Sequence, residues 1–337
     1  MLEIADRLLA LLTDGRRVAV ATVISMTGSG PTVVGTSMAV DDTGAAVGSV
    51  AGGCVEGALY ELCTSVLAGA APGIQEYGVT DEDAFAVGLT CGGVLRVHAR
   101  ELGPADLPPL AAAAGGQASV VVTPLFGTLP AGRVPDARTG IVRFEGPDGG
   151  IEVFVEVAAA PARMVIYGAL EFSSALATAA RAVGYRVTVC DAGAVLATPR
   201  RHPGADEVVV DWPVRHLASQ QLGARDVVAV MSHDDRYDAE LVLGALRSGA
   251  GYVGAMGSRR TQDRRTVALV ELGATSDELV RLHAPIGLDV GASTPAETAV
   301  SVLAEVLASR AGASGLPLRR TVGPIHRPAA DRAPQRR

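Results

Sequence analysis

The sequence predicts an α/β protein: a doubly wound parallel sheet in the C-terminal half, preceded by a smaller N-terminal α+β domain. Three observations predict it. Beyond Pro161, short β-branched runs alternate with segments of helical periodicity, the pattern of parallel βαβ units. The first of these strands runs into Gly168-Ala169-Leu170-Glu171-Phe172-Ser173, a partial form of the glycine fingerprint of a Rossmann-like domain. The chain has 337 residues, 48% of them hydrophobic, which exceeds what one core usually holds.

The first nine residues space their apolar groups helically and carry charge early, so they read as an amphipathic helix rather than an export signal. Residues 17–24 and 36–40 read as strands of a hairpin, 55–67 as a helix, and 94–99 and 119–123 as further strands. Residues 140–144 and 152–157 alternate around Gly146-Pro147-Asp148-Gly149-Gly150, a hairpin turn composition. Residues 107–132 carry no charge, but their prolines and glycines would break a membrane-spanning helix. They read as linker and a short buried strand.

Past the boundary come a strand at 164–167, a helix at 172–183, strands at 186–190, 207–210 and 226–231, a helix at 239–248 and a strand at 252–255. Thr294-Pro295-Ala296-Glu297 announces a last helix, with Thr294 as cap, Pro295 in the first turn and Glu297 closing a capping box. It should end near residue 309. The expected organisation is thus residues 1–105 as the α+β domain, 106–160 as a linker with short strands and a hairpin, 161–310 as the Rossmann-like domain, and 311–337 as a disordered tail rich in Pro, Arg, Gly and Ala.

The formal charge is -7 and the basic residues are mostly dispersed, which excludes broad phosphate-backbone binding and so nucleic acid as a partner. Four cysteines without a CxxC spacing suit a reducing, cytoplasmic setting better than a disulfide framework. Cys63 and Cys190, embedded in apolar runs, read as small buried hydrophobes. Cys54 and Cys91 differ. Gly48-Ser49-Val50-Ala51-Gly52-Gly53-Cys54-Val55-Glu56 leads a glycine-rich loop into a helix, which places Cys54 near a helix N-terminus, where thiolate and anions are favoured. Gly88-Leu89-Thr90-Cys91-Gly92-Gly93 is a second thiol beside glycines, and Thr27-Gly28-Ser29-Gly30-Pro31 could add backbone amides to the same ligand.

In the C-terminal domain, doubly wound topology should bring Gly168, Asp191, Ser232-His233-Asp234-Asp235 and Gly257-Ser258-Arg259-Arg260 to one sheet edge and one crevice. A glycine after the first strand and Asp191 at the end of the second suit a dinucleotide. Leu170, however, stands where the fingerprint's second glycine makes room for a pyrophosphate, and Ser173 where the third allows close helix packing. Both count against NAD(P) in the usual pose. Ser258, Arg259 and Arg260 at a helix start would grip a phosphate. His233, with Asp234, Asp235 and Asp238, reads as a hydrogen-bonded loop more than as a metal site.

Taken in order, these glycine–cysteine motifs, Tyr252-Val253-Gly254-Ala255-Met256-Gly257-Ser258-Arg259-Arg260-Thr261, and His283-Ala284-Pro285-Ile286-Gly287-Leu288-Asp289-Val290-Gly291 followed by Thr294-Pro295-Ala296-Glu297 resemble the XdhC/CoxI family, accessory proteins of xanthine dehydrogenase and related molybdenum hydroxylases. The resemblance covers most of the chain. It implies a chaperone that binds molybdenum cofactor (molybdopterin), protects it during sulfuration and delivers it to an apo-hydroxylase of xanthine or carbon monoxide dehydrogenase type, with a cysteine desulfurase as a further partner. Most members would not be called enzymes. The cofactor-binding set would be Gly52, Gly53, Cys54, Glu56, Cys91, Gly92, Gly93, Gly168, Asp191, His233, Ser258, Arg259 and Arg260. Cys54 or Cys91 would contact molybdenum, a metal that favours sulfur. Pro31-Thr32 replaces the family's proline–arginine pair, which shifts the weight to backbone amides. Two rival readings stand beside this one: an NAD(P)-dependent oxidoreductase built on Gly168, Asp191 and His233, and a protein-binding assembly factor without cofactor. The high apolar content leaves room for a homodimer.

Overall fold

The computed structural model describes residues 1–27, 33–50, 55–78, 94–126, 138–144, 150–323 and 325, in two compact units, Met1–Ala160 and Pro161–Arg337. In the first unit, helix α1 (Ala5–Thr13) precedes strands β1 (Val18–Thr27), β2 (Ser37–Asp41) and β3 (Ala46–Gly48). Helix α2 (Glu56–Leu67) and strands β4 (Gly73–Tyr77) and β5 (Val94–Glu101) follow. The strands form an antiparallel sheet in the order β3-β2-β1-β5-β4. Alternation along β1 makes the sheet two-faced: Ala19, Ala21 and Val23 pack with Leu59, Cys63 and Val66 of α2, while Val18 and Val20 pack with Ile4, Leu8 and Leu110.

The stretch at 106–160, expected as a linker with short strands and a hairpin, falls within the first unit. It contains helix α3 (Leu107–Ala114) and strands β6 (Ser119–Phe126), β7 (Gly140–Phe144) and β8 (Ile151–Ala158), which form an antiparallel sheet ordered β6-β8-β7. The prolines at 108 and 109 start α3 instead of breaking it. They occupy its first turn, where no backbone donor is needed.

The second unit is the doubly wound domain. Strands β9 (Arg163–Tyr167), β10 (Arg186–Asp191) and β11 (Glu207–Val210) are followed by β12 (Val227–Val230), β13 (Tyr252–Ala255) and β14 (Leu282–His283). All pairings are parallel, in the order β11-β10-β9-β12-β13-β14. The order reverses between β9 and β12, and that reversal opens a crevice at the carboxyl ends of the strands. Helices α4 (Glu171–Ala182), α5 (Pro213–Ser219), α6 (Asp238–Arg247), α7 (Arg259–Glu271), α8 (Ser276–Val280) and α9 (Pro295–Ala311) accompany the sheet. Strand residues alternate between two cores. Met164, Ile166, Val187 and Val189 pack with Leu176 of α4 and Val302 of α9. Val165, Tyr167, Val228 and Val230 pack with Leu217 of α5 and Leu241 of α6. Each fully buried aliphatic side chain contributes roughly 1.5–3 kcal/mol, so both faces must be covered.

Thr294 caps α9 as expected: its hydroxyl accepts from Glu297 N at 3.3 Å, and the Glu297 carboxylate accepts from Thr294 N at 2.9 Å. The helix closes at Gly312 in the left-handed region. Residues 312–323, expected as the start of a disordered tail, carry a short 3-10 turn at Leu318–Arg320. Among the described residues, no helix is long and apolar enough to cross a membrane.

Candidate functional site

The Gly168 turn is shaped by the sheet. Gly168 has φ +104°, and a Cβ placed there would lie 2.7 Å from Ser232 N and 3.0 Å from Ser232 Cα. Only glycine lets the end of β9 pass this close to the chain leaving β12. Ser173, at the third fingerprint position, starts the buried stripe of α4 with Leu176, Ala177 and Ala180. Its small side chain keeps the helix close to the sheet in place of a glycine.

Asp191, at the end of β10, turns back to this turn. Its Oδ2 accepts from Ala169 N at 2.9 Å and its Oδ1 from Gly193 N at 2.7 Å. One backbone donor of the fingerprint turn, the Ala169 N–H, is thus taken by a carboxylate of the protein itself. Glu171 adds a second negative charge in the first turn of α4, where its carboxylate pairs with Arg201 at 2.6 Å.

Gly168, Leu170 and Asp191 line a crevice of about 640 Å³ together with the 232–236 loop. Three of the expected groups, Gly168, Asp191 and His233 with its neighbours, therefore meet at the switch point. In the loop, the Ser232 hydroxyl lies 2.9 Å from the Tyr237 hydroxyl and accepts from Asp234 N at 3.1 Å. Arg236 donates through Nε to Asp234 at 2.9 Å, and this guanidinium holds the Asp234 carboxyl below the usual carboxylate range. Arg236 also lies over the ring of Trp212, 5.6 Å from its centroid. His233 and Asp235 are exposed. Arg236 escaped the sequence reading; its signal was a base two residues beyond Asp234 in an acidic loop.

Asp238, grouped with His233 by sequence, serves elsewhere. Its two oxygens accept from Arg265 Nε at 2.6 Å and Nη2 at 2.9 Å, and Nη2 also donates to Met256 O at 3.0 Å. Arg265 is 3% exposed, so this fork fastens α7 to α6 inside the fold. Among the described residues, no group of three or more His, Cys, Asp or Glu is placed to hold a metal ion.

The Gly257–Arg260 turn follows β13, one strand beyond β12 on the same sheet edge, and is not among the residues lining the crevice. Ser258 caps α7 by accepting from Thr261 N at 3.1 Å. Arg259 and Arg260 are exposed. His283 stacks on Tyr252 with ring centroids 4.3 Å apart, and its Nδ1 lies 3.0 Å from Glu305. Glu305 also accepts from the Tyr252 hydroxyl and from Gly287 N, each at 2.7 Å. Burial opposes ionisation of Glu305, but these hydrogen bonds outweigh it and lower its pKa. The histidine–proline–glycine motif at 283–291 thus stitches the β14 edge to α9.

In the first unit, Gly52, Gly53, Cys54, Cys91, Gly92 and Gly93 lie outside the described residues. Glu56, the first residue of α2, accepts from the Ser49 hydroxyl at 2.7 Å, from Val50 N at 3.2 Å and from Val55 N at 3.3 Å. It joins the two flanks of the glycine-rich loop. Burial pushes the Cys63 and Cys190 thiols up to about 12, which suits the buried hydrophobes expected of them.

A family model described as the XdhC Rossmann domain matches residues 164–306, and one described as the XdhC and CoxI family matches residues 11–78. A Bacillus subtilis (strain 168) protein named as a probable xanthine dehydrogenase subunit is 24% identical over 322 residues, 89% of this chain and 96% of that protein. The molybdenum cofactor insertion chaperone PaoD of Escherichia coli (strain K12) is 27% identical over 311 residues, 89% of this chain and 85% of PaoD. A crystal structure described as a xanthine dehydrogenase from Bacillus halodurans superimposes with a TM-score of 0.70 at 24% identity, covering 90% of this chain and 95% of that one; it supports the fold. The two family models fall one in each unit and together cover well over half of the residues, and the chain belongs to the XdhC and CoxI family.

Proposed function

We propose that this protein is a molybdenum cofactor insertion chaperone serving a molybdenum hydroxylase of xanthine or carbon monoxide dehydrogenase type. The observation that carries the reading is the end-to-end similarity to PaoD, which spans 89% of this chain. The protein binds molybdopterin as cargo, shields it while its sulfur ligand is installed, and hands it to the apo-hydroxylase in the cytoplasm. A cysteine desulfurase supplies that sulfur, and the protein works as a homodimer. Glycine-rich backbone amides at Gly52, Gly53, Gly92 and Gly93 hold the cargo, and Cys54 or Cys91 contacts molybdenum, because a soft thiolate suits it. An NAD(P) oxidoreductase is disfavoured by Leu170, which stands where the fingerprint's second glycine makes room for a pyrophosphate, and by the Asp191 carboxylate bonded to the turn at Ala169 N. The test is retention of pterin after gel filtration of wild type, Cys54→Ala and Cys91→Ala loaded with molybdenum cofactor. Wild type should retain it and at least one variant should lose it. Equal, negligible retention in all three refutes the reading.

A further inference from the structure

The switch-point crevice has the wrong electrostatics for the anionic end of such a cargo. Its lining carries Asp191, Asp234 and Asp235 against one arginine, Arg236, and that arginine is already committed to Asp234. At the α4 N-terminus, where a phosphate would normally sit, the Asp191 carboxylate already accepts the turn's N–H, so an incoming anion meets like charge. The lining is rich in unused acceptors instead. Each Asp191 oxygen accepts one backbone bond, and a carboxylate oxygen has capacity for a second. Asp235 is exposed and has no hydrogen bond or ion pair among the described residues. What complements such a surface is a neutral group with adjacent N–H donors, which one carboxylate accepts through two parallel hydrogen bonds, as it accepts an arginine fork. One strand over on the same edge, Arg259 and Arg260 are exposed at the start of α7 and have no ion pair among the described residues.

We infer that the crevice takes the neutral heterocyclic head of the cargo by the N–H edge of an aminopyrimidinone ring, with Asp191 and Asp235 as acceptors, and that the phosphate stays outside, toward Arg259 and Arg260. This rests on the proposed function and adds to it an orientation and a selectivity: the C-terminal domain has kept the Rossmann crevice and takes a neutral hydrogen-bond donor where such a crevice ordinarily takes an anion.

The chain's single tryptophan, Trp212, lies beneath Arg236, which lines the crevice, and serves as reporter. The full chain is titrated with 6-hydroxymethylpterin and with inorganic pyrophosphate, by calorimetry and by Trp212 emission. The pterin should bind saturably and change the emission. Asp235→Asn should weaken it about tenfold, the scale of one lost charge-assisted hydrogen bond, and Asp235→Lys should abolish it; an exposed side chain leaves folding intact. Pyrophosphate should leave Trp212 unchanged and lose its affinity in Arg259→Ser/Arg260→Ser. Unaltered pterin affinity in Asp235→Lys, no saturable pterin binding up to millimolar concentration, or pyrophosphate that perturbs Trp212 overturns the inference. The two readings fail separately: if wild type and Asp235→Lys retain molybdenum cofactor equally, this orientation is wrong and the chaperone reading stands, whereas wild type that retains none removes the chaperone reading itself.

Discussion

Replacing Gly168 by alanine separates a glycine demanded by the sheet from one demanded by a ligand. The added Cβ meets Ser232 N at 2.7 Å, Ser232 Cα at 3.0 Å and the Met231 carbonyl carbon at 3.1 Å. All three are backbone atoms of the segment leaving β12, so no rotamer change relieves the contact. Holding a non-glycine residue at positive φ costs about 1–2 kcal/mol, and forcing an extra methyl into a packed site costs about 1–3 kcal/mol more. The expected loss is therefore about 2–5 kcal/mol. Gly184→Ala is the control, because Gly184 has φ +88° with nothing within 4 Å of its would-be Cβ, so it should lose only the backbone cost of about 1–2 kcal/mol. Urea unfolding followed by Trp212 emission reads the C-terminal unit specifically, since that unit holds the only tryptophan. A Gly168→Ala loss no larger than that of Gly184→Ala would refute the packing argument and return Gly168 to the ligand.

Three further outcomes follow from buried groups. Burial, with help from Arg100, pushes the His98 imidazole down from 6.5 to about 4, so the unfolded chain takes up a proton that the folded chain resists. Stability of the first unit should be full above pH 6.5 and fall on acidification to pH 4, by about 3 kcal/mol; circular-dichroism melts of His98→Gln should show a flatter pH dependence, and an unchanged slope contradicts the assignment. Arg265→Ala strips Asp238 of both its side-chain donors and should cost about 3 kcal/mol in the urea assay, the usual scale for breaking a buried pair; a loss below about 1 kcal/mol would show that water replaces the fork. Cys63 and Cys190, with thiols pushed to about 12, should resist iodoacetamide at pH 8 in the native protein and react once it is denatured, as peptide mapping would show; labelling of either in the native state contradicts their burial.

What was legible in the sequence tracks the range of the interactions. The inner strands of the doubly wound domain announced themselves because they are apolar runs buried on both faces, as residues 164–167 and 227–230 show. The α9 cap was legible because Thr294 and Glu297 are three residues apart and satisfy each other. Helix α3 was lost because Pro108 and Pro109 read as breakers, when the first turn of a helix is where proline costs nothing. Short α5 was lost because seven residues carry too little period to recognise. The Arg265–Asp238 fork and the Tyr252–His283–Glu305 cluster join residues 22 to 53 apart, and no local pattern encodes those pairings.

The site itself was half legible, for a physical reason. Strand order fixes which turns meet, so Gly168, Asp191 and the 232–236 loop could be brought together from topology alone. Topology does not fix where a carboxylate points. An aspartate at the end of the second strand serves a ribose when it faces outward and serves the turn when it faces inward, and the sequence is the same in both cases. Leu170 stands where the fingerprint's second glycine makes room for a pyrophosphate, and the inward arrangement gives the Ala169 N–H a partner within the protein. In the proposed reading the lost glycine and the inward carboxylate are one change: a crevice that no longer takes a phosphate satisfies its turn with its own aspartate, and it admits a ligand that brings its own donors.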